Sequence, residues 1–196
     1  RSVFGSGRPT YLYSFASPTG WAYIYTLPPG SDLAVADQHI YFSDDRGRIP
    51  MEAIVERAPL SPDGGDGVPV ITKLVSGQTS PYALAVGPRH LFWLDDRGSN
   101  LVTATTALKV DGGTGLARPV PGARFLAVDP SSATTFYVAV SSSAKSGDSS
   151  IVKASALSSS ITPFRVGLTG IGGIAVDSTH VFWTQNDGRV YRAPKE

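Results

Sequence analysis

Four times in this chain a short apolar run places alanine between two larger aliphatic residues: Leu33-Ala34-Val35, Leu84-Ala85-Val86, Leu126-Ala127-Val128 and Ile174-Ala175-Val176. The central alanines lie 51, 42 and 48 residues apart. Recurrence at that spacing means that one small unit is repeated, and a unit of this size buries its apolar face only by stacking on its neighbours. Three of the runs are followed, four residues after the valine, by a histidine that opens a second apolar stretch. These stretches are His39-Ile40-Tyr41-Phe42, His90-Leu91-Phe92-Trp93 and His180-Val181-Phe182-Trp183. A polar turn containing glycine comes next: Asp44-Asp45-Arg46-Gly47, Asp95-Asp96-Arg97-Gly98 and Asn186-Asp187-Gly188.

Short runs rich in aromatic and β-branched residues, separated by Asp, Asn, Gly and Pro, read as antiparallel strands. Third strands are predicted over residues 54–60, 101–108, 151–157 and 189–194, and fourth strands over 70–75, 116–120 and 162–166. Four strands in about 40–50 residues is the spacing of a propeller blade. The predicted fold is therefore all-β: one β-propeller domain over 1–196, with four-stranded antiparallel blades near 33–76, 84–120, 126–168 and 174–194. The third repeat is degenerate, with Thr135-Phe136-Tyr137-Val138 replacing the histidine-led strand and a Ser/Gly-rich stretch over 141–150 replacing the tight turn. Ahead of the first repeat, residues 11–15 and 21–27 also read as strands. The second of these leads through Pro28-Pro29-Gly30 into the first anchor, as a fourth strand does, whereas the last repeat lacks one. Residues 21–27 are thus expected to close the last blade, giving a ring of four. The alternative is part of a larger propeller of about six to eight blades, which the extra strand at 11–15 favours.

Composition agrees with many turns and few helices, since glycine (21) and proline (15) are abundant and charged residues make up only 17%. Seventeen basic against sixteen acidic side chains leave no basic stripe of the kind that displaces counterions from phosphates, so no nucleic-acid partner is expected. Cysteine is absent, which excludes thiol catalysis, disulfides and cysteine-ligated zinc. No run approaches the ~18 apolar residues of a membrane span, so no membrane insertion is expected. No signal peptide is visible, and the first residue is Arg1 rather than methionine, as at a processed end or an arbitrary cut. The low-charge, Ser/Thr/Gly-rich loops suggest an exported protein, extracellular or periplasmic.

The repeat resembles the propeller superfamily of YWTD and NHL repeats. Phe92-Trp93-Leu94 and Phe182-Trp183-Thr184 resemble the tetrapeptide that names the YWTD group, and Ile174-Ala175-Val176-Asp177 resembles the strand before it. Leu60 with Asp63-Gly64, and Leu108 with Asp111-Gly112, resemble the Leu-Asp-Gly turn after the third strand. No complete tetrapeptide occurs, and Ser43 and Leu94 depart from its pattern. The resemblance implies a binding scaffold in receptors and secreted bacterial proteins and leaves the ligand undefined.

Two residue sets invite chemistry. His39, His90 and His180, the only histidines, recur at one template position, where they could ring a metal or serve simply as turn residues bonded to local backbone. Blades splay equivalent positions apart, which favours the turn role, and no metal site is expected. The pairs Asp44/Asp45 and Asp95/Asp96, with Asn186/Asp187 in the corresponding turn, could share a hard cation or shape tight hairpins. Each is followed closely by glycine, which favours the hairpin role. Together with Arg46 and Arg97 they are also the candidate ligand-face residues. The loop Asp63-Gly64-Gly65-Asp66-Gly67 lacks the spacing and terminal Glu of a calcium loop. No nucleophile elbow or phosphate loop is present. Trp93 and Trp183 are expected to pack between blades, while Trp21 and Tyr23 are expected at the exposed terminal strand.

No catalytic residue and no cofactor emerge from this reading. The expectation is a non-enzymatic propeller that recognises a protein, peptide or glycan through loops on one face, those at 44–53, 61–69 and 141–150 differing most between repeats. Two alternatives stand beside it. One is a propeller hydrolase or lyase, lactonase-like and dependent on a divalent cation; the other is a structural repeat within a larger assembly.

Overall fold

A computed structural model of the chain describes residues 10–17, 20–27, 32–44, 53–59, 71–95, 100–105, 116–141 and 149–195. All regular structure among them is β, arranged in separate antiparallel sheets. No described helix is long and apolar enough to cross a membrane. A hairpin of β1 (Thr10–Ser17) and β2 (Gly20–Leu27) comes first. The first repeat forms β3 (Leu33–Ala36), β4 (His39–Asp44), β5 (Ala53–Pro59) and β6 (Thr72–Gln78). The second forms β7 (Tyr82–Val86), β8 (His90–Asp95), β9 (Asn100–Thr105) and β10 (Leu116–Pro119). The third forms β11 (Ala123–Val128), β12 (Thr135–Ser141), β13 (Ser149–Ser155) and β14 (Ile161–Leu168). The fourth has three strands, β15 (Ile171–Val176), β16 (His180–Gln185) and β17 (Val190–Pro194).

Each repeat is a meander in which consecutive strands are neighbours, with the anchor strand at one edge. The anchor strands lie side by side, β3 against β7, β7 against β11 and β11 against β15. The sheets therefore fan out from a common line, and the sheet order does not close them into a ring.

The core lies between sheets, because every second side chain of a strand faces the same neighbour. Tyr41, Val55 and Val75 of the first sheet meet Leu91, Trp93 and Val102 of the second. Phe92, Leu94 and Leu101, on the second sheet's other face, meet Phe136, Val138 and Ala154 of the third. Tyr137, Ala139 and Ile151 of the third meet Val181, Trp183 and Ala193 of the fourth. The near-continuous apolar runs of β8 and β12 follow from this double burial. Trp93 and Trp183 pack at blade boundaries, as expected of them.

Two features of the strands differ from the sequence reading. The fourth strands extend beyond their predicted ends, β6 to Gln78 and β14 to Leu168. The cause is Gly77 and Gly167, whose φ values of 72° and 70° build a bulge inside the strand rather than a turn after it. The strand over residues 11–15 is extra to the ring of four read from the sequence, and the structure pairs β1 with β2 along its length. The strand over residues 11–15 thus has its place as that hairpin's first arm.

Candidate functional site

Antiparallel order sorts the connections onto two ends of the array. Those joining second to third strands (45–52, 96–99, 142–148 and 186–189) leave from one end, beside those leading into the next anchor strand. Turns from anchor to second strand leave from the other end, which carries all three histidines. Asp44, Asp95, Asn186 and Asp187 belong to the first end, as do two of the variable loops, 44–53 and 141–150. The loop at 61–69 joins a third to a fourth strand and belongs to the histidine end.

Asp95 closes β8 and is buried, with its carboxylate turned back onto the connection from β6. Thr79 N donates to both oxygens at 3.1 Å, and Ser80 N donates to Oδ1 at 2.7 Å. A carboxylate that satisfies two otherwise free backbone donors orders the path into β7. The same position in β16 is Gln185, whose Oε1 accepts from Thr169 N at 2.7 Å and Thr169 Oγ1 at 3.0 Å. The register therefore places Asn186/Asp187 one residue beyond the Asp95 position. In the third sheet the position is Val140, and backbone replaces side chain: Ser141 N donates to Gly122 O at 2.9 Å. Asp44 ends β4 opposite Ile54. Asp45, Arg46, Asp96 and Arg97 lie outside the described residues.

Asp187 works within its own hairpin. Tyr191 Oη donates to Oδ2 at 2.6 Å and Arg189 N donates to Oδ1 at 3.0 Å. The tyrosine hydrogen bond, then the Arg189 amide, hold this carboxyl below the ordinary range, and the same contact raises the Tyr191 phenol. Arg189 Nε stands 3.9 Å from Asp187 in an exposed pair. Asn186 packs against Gly170, where a Cβ would collide with its amide.

At the opposite end His39 and His180 bond within their own turns, and His90 reaches the β11–β12 turn of the third sheet. His39 Nδ1 lies 2.6 Å from Asp37 O, His90 Nδ1 3.2 Å from Ala133 O, and His180 Nδ1 2.8 Å from Thr179 Oγ1. Each ring also leans on the aromatic two residues ahead, Tyr41, Phe92 or Phe182. Among the described residues no three His, Asp or Glu side chains gather as metal ligands would. Asp177 accepts from Thr179 N and His180 N, which lower its pKa as a turn carboxylate.

The strongest polar cluster was not legible in the sequence. Lys195 Nζ donates to Asp129 Oδ1 at 2.6 Å, Ser131 Oγ at 2.7 Å and Asp177 O at 3.1 Å. Its backbone N donates to Thr179 O, and its carbonyl accepts from Lys153 Nζ and Tyr137 Oη. Burial pushes the Asp129 carboxyl up, but hydrogen bonds from Lys195 and Ser131 outweigh it and leave the pKa lowered. The cluster joins the third and fourth sheets. Another clamp crosses from second to third sheet: the Arg118 guanidinium donates to the carbonyls of Ser155, Ala156 and Ser158. Asp129 and Asp177 share a template position, each following an anchor valine, but Lys195, Lys153 and Arg118 have no counterpart at a repeat spacing.

These sheets are blades of the β-propeller class. No protein-family model matches the chain, and no curated protein does. Among solved structures, a chain in the crystal structure of a nidogen/laminin complex matches with a TM-score of 0.62 and 16% identity, over 90% of this chain and 65% of that one. This chain thus spans just under two thirds of that chain's length. The computationally designed Ika4 protein matches with a TM-score of 0.51 and 10% identity, over 83% of this chain and 89% of that one. At such identities the likeness is one of fold.

Proposed function

We propose that this chain is a non-enzymatic propeller that binds a protein partner, or a peptide or glycan, outside the cell. The recognition surface is the end that carries the connections from second to third strands. One observation carries the reading. These connections spring from strands in matching register, yet they hold eight, four, seven and four residues. Connections of unequal length set side by side on rigid strands are the usual arrangement of a recognition face. They stand beside the ordered turns into the anchor strands, whereas the connections at the histidine end, of twelve, ten and five residues, alternate with two-residue to six-residue turns. On the recognition face the Asp95 carboxylate and Gln185 amide are spent on fixing backbone. A protein partner is favoured by the nidogen/laminin likeness, since that structure is itself a protein complex. The low-charge, Ser/Thr/Gly-rich sequence supports an extracellular or periplasmic setting.

The test is a screen of the intact chain against a displayed extracellular protein and peptide library and a glycan array. Binders are then measured on a variant whose connections at 45–52 and 142–148 are each replaced by the four residues 186–189. The expected result is loss of binding with an unchanged melting temperature. Binding that survives the replacement, or turnover of lactone or ester substrates with added Ca²⁺, would overturn the reading.

A further inference from the structure

Turns from anchor strand to second strand are short in three sheets, covering 37–38, 87–89 and 177–179. The turn between β11 and β12 holds six residues, 129–134. Its extra residues lie inside a closing bond of the same kind. Gly87 N donates to His90 O at 2.8 Å, Asp177 N to His180 O at 3.0 Å, and Asp129 N to Thr135 O at 3.0 Å. The longer turn is braced by its own side chains. Asp129 Oδ1 accepts from Ser131 N and Ser131 Oγ, and Ser132 N donates to Asp129 O. Ser132 Oγ accepts from Thr134 N and Thr135 N. Pro130 fixes one φ in its path.

This turn is fastened to both neighbouring sheets. His90 of the second sheet brings Nδ1 to 3.2 Å from Ala133 O, the one bond of the three histidines that leaves its own turn. Lys195 beside the fourth sheet donates from Nζ to Asp129 Oδ1 at 2.6 Å and Ser131 Oγ at 2.7 Å. Its backbone N, bonded to Thr179 O, keeps it on that sheet. Beneath the turn, Ala156 N donates to Thr134 O at 2.9 Å, and Arg118 of the second sheet donates to Ala156 O at 2.9 Å. The repeat that carries this lengthened turn is also the one whose second strand opens with Thr135 in place of histidine.

We propose that the 129–134 turn is a strap that couples the second sheet to the fourth across the third, so that releasing one attachment slackens the other. The links are continuous. Lys195 holds Asp129 and Ser131, Asp129 O holds Ser132, and Ser132 Oγ holds the amides on either side of Thr134, next to the carbonyl that meets His90. A small turn braced at every step shifts as a whole, so its two ends do not loosen separately. The strap fixes the separation of three sheets at the histidine end, and it exists whichever end of the array meets a partner.

The test is a double-mutant cycle with a spectroscopic reading. His90→Phe keeps a ring beside Phe92 and removes the bond to Ala133 O. Lys195→Met keeps the stem and removes the ammonium. Independent contacts multiply in the unfolding equilibrium constant. In the double variant the expected loss falls short of that product by roughly twofold or more. A carbonyl only accepts, so the neutral His90 ring facing Ala133 O carries its proton on Nδ1. Imidazole nitrogen shifts report that tautomer for each of the three histidines. In Lys195→Met the His90 ring is expected to move towards the Nε2–H form while His39 stays unchanged. Ser131→Ala, a change at an exposed residue that leaves Asp129 and Lys195 in contact, replaces the lysine variant in both measurements if that variant does not fold. A shortfall together with a shifted His90 tautomer supports the strap. Losses that multiply, or a His90 tautomer that stays in place, overturn it.

Discussion

Trp93 Nε1 donates to Gln78 Oε1 at 3.0 Å within the boundary between the first and second sheets. Trp183 stands at the same position between the third and fourth, where Leu168 takes the place of the glutamine. Its Nε1 is buried without an acceptor. A buried donor left without a partner costs about 1–3 kcal/mol, so the two boundaries differ by one hydrogen bond. Gln78→Leu is expected to lower stability by about that amount. Leu168→Gln is expected to raise the melting temperature by about 2–4 °C for each kcal/mol regained. Thermal unfolding of both variants checks the pair, and equal losses in the two would show that side-chain volume, not the hydrogen bond, decides.

Legibility followed repetition. The anchor runs, the histidine-led strands and the two tryptophans recur at fixed offsets, so strand order and the packing of Trp93 and Trp183 could be read from spacing. Gly77 and Gly167 could not, because glycine after a strand reads as a turn whether it ends the strand or bulges it. Gln185 carries an amide where the other turns begin with an acid, so only the pairing register shows it to be the counterpart of Asp95. Asp129 recurs as Asp177 after an anchor run, but Lys195, 66 residues from Asp129, belongs to no repeated motif, so their contact exists only in the folded array.

The Asp129–Lys195 pair is 8% and 13% exposed at its side chains, so it is largely desolvated. Removing one partner from a buried pair is strongly destabilising, and Asp129→Ala is expected to cost about 3 kcal/mol. The pKa of Asp129 is lowered in the folded chain. Its contribution is therefore present above the unfolded value of about 4 and is lost as pH falls through the folded value. Between pH 5 and pH 2, Asp129→Asn should flatten the fall in melting temperature seen with the parent. A parallel fall in both would place the acid sensitivity elsewhere.

Asp37 and Gln38 join β3 to β4 with φ values of 48° and 63°. Two consecutive left-handed residues define the hairpin turn that favours Asn-Gly or Asp-Gly. Asp tolerates the conformation, but Gln carries a Cβ penalty of about 1–2 kcal/mol there. Gln38→Gly is expected to stabilise by about 0.5–1 kcal/mol, the rest being offset by glycine's greater freedom when unfolded. Gln38→Val, with a branched Cβ, is expected to destabilise. Denaturant midpoints of the two variants should move in opposite directions with unchanged slopes.

The turn into each anchor strand is fixed differently from one sheet to the next, and this separates two substitutions that look alike in sequence. Asp95→Ala removes the acceptor of the Thr79 and Ser80 amides. Each freed donor costs about 1–3 kcal/mol where it stays buried and less where water reaches it. Asp95→Asn keeps one oxygen and is expected to recover part of the loss. Gly122 does the corresponding work in the third sheet at φ 79°, and a Cβ there would stand 2.7 Å from Ser141 O. That contact is with backbone and cannot be relieved by a rotamer, so Gly122→Ala is expected to be costlier than Asp95→Ala. Its cost combines left-handed strain of about 1–2 kcal/mol with the shift forced on β12. Chemical denaturation ranks the three. Hydrogen exchange should show the damage from Gly122→Ala spreading into β11 and β12, while that from Asp95→Ala stays within residues 79–84. If both variants loosened only their own turn, the backbone contact at Gly122 would be no stronger a fastening than the Asp95 carboxylate.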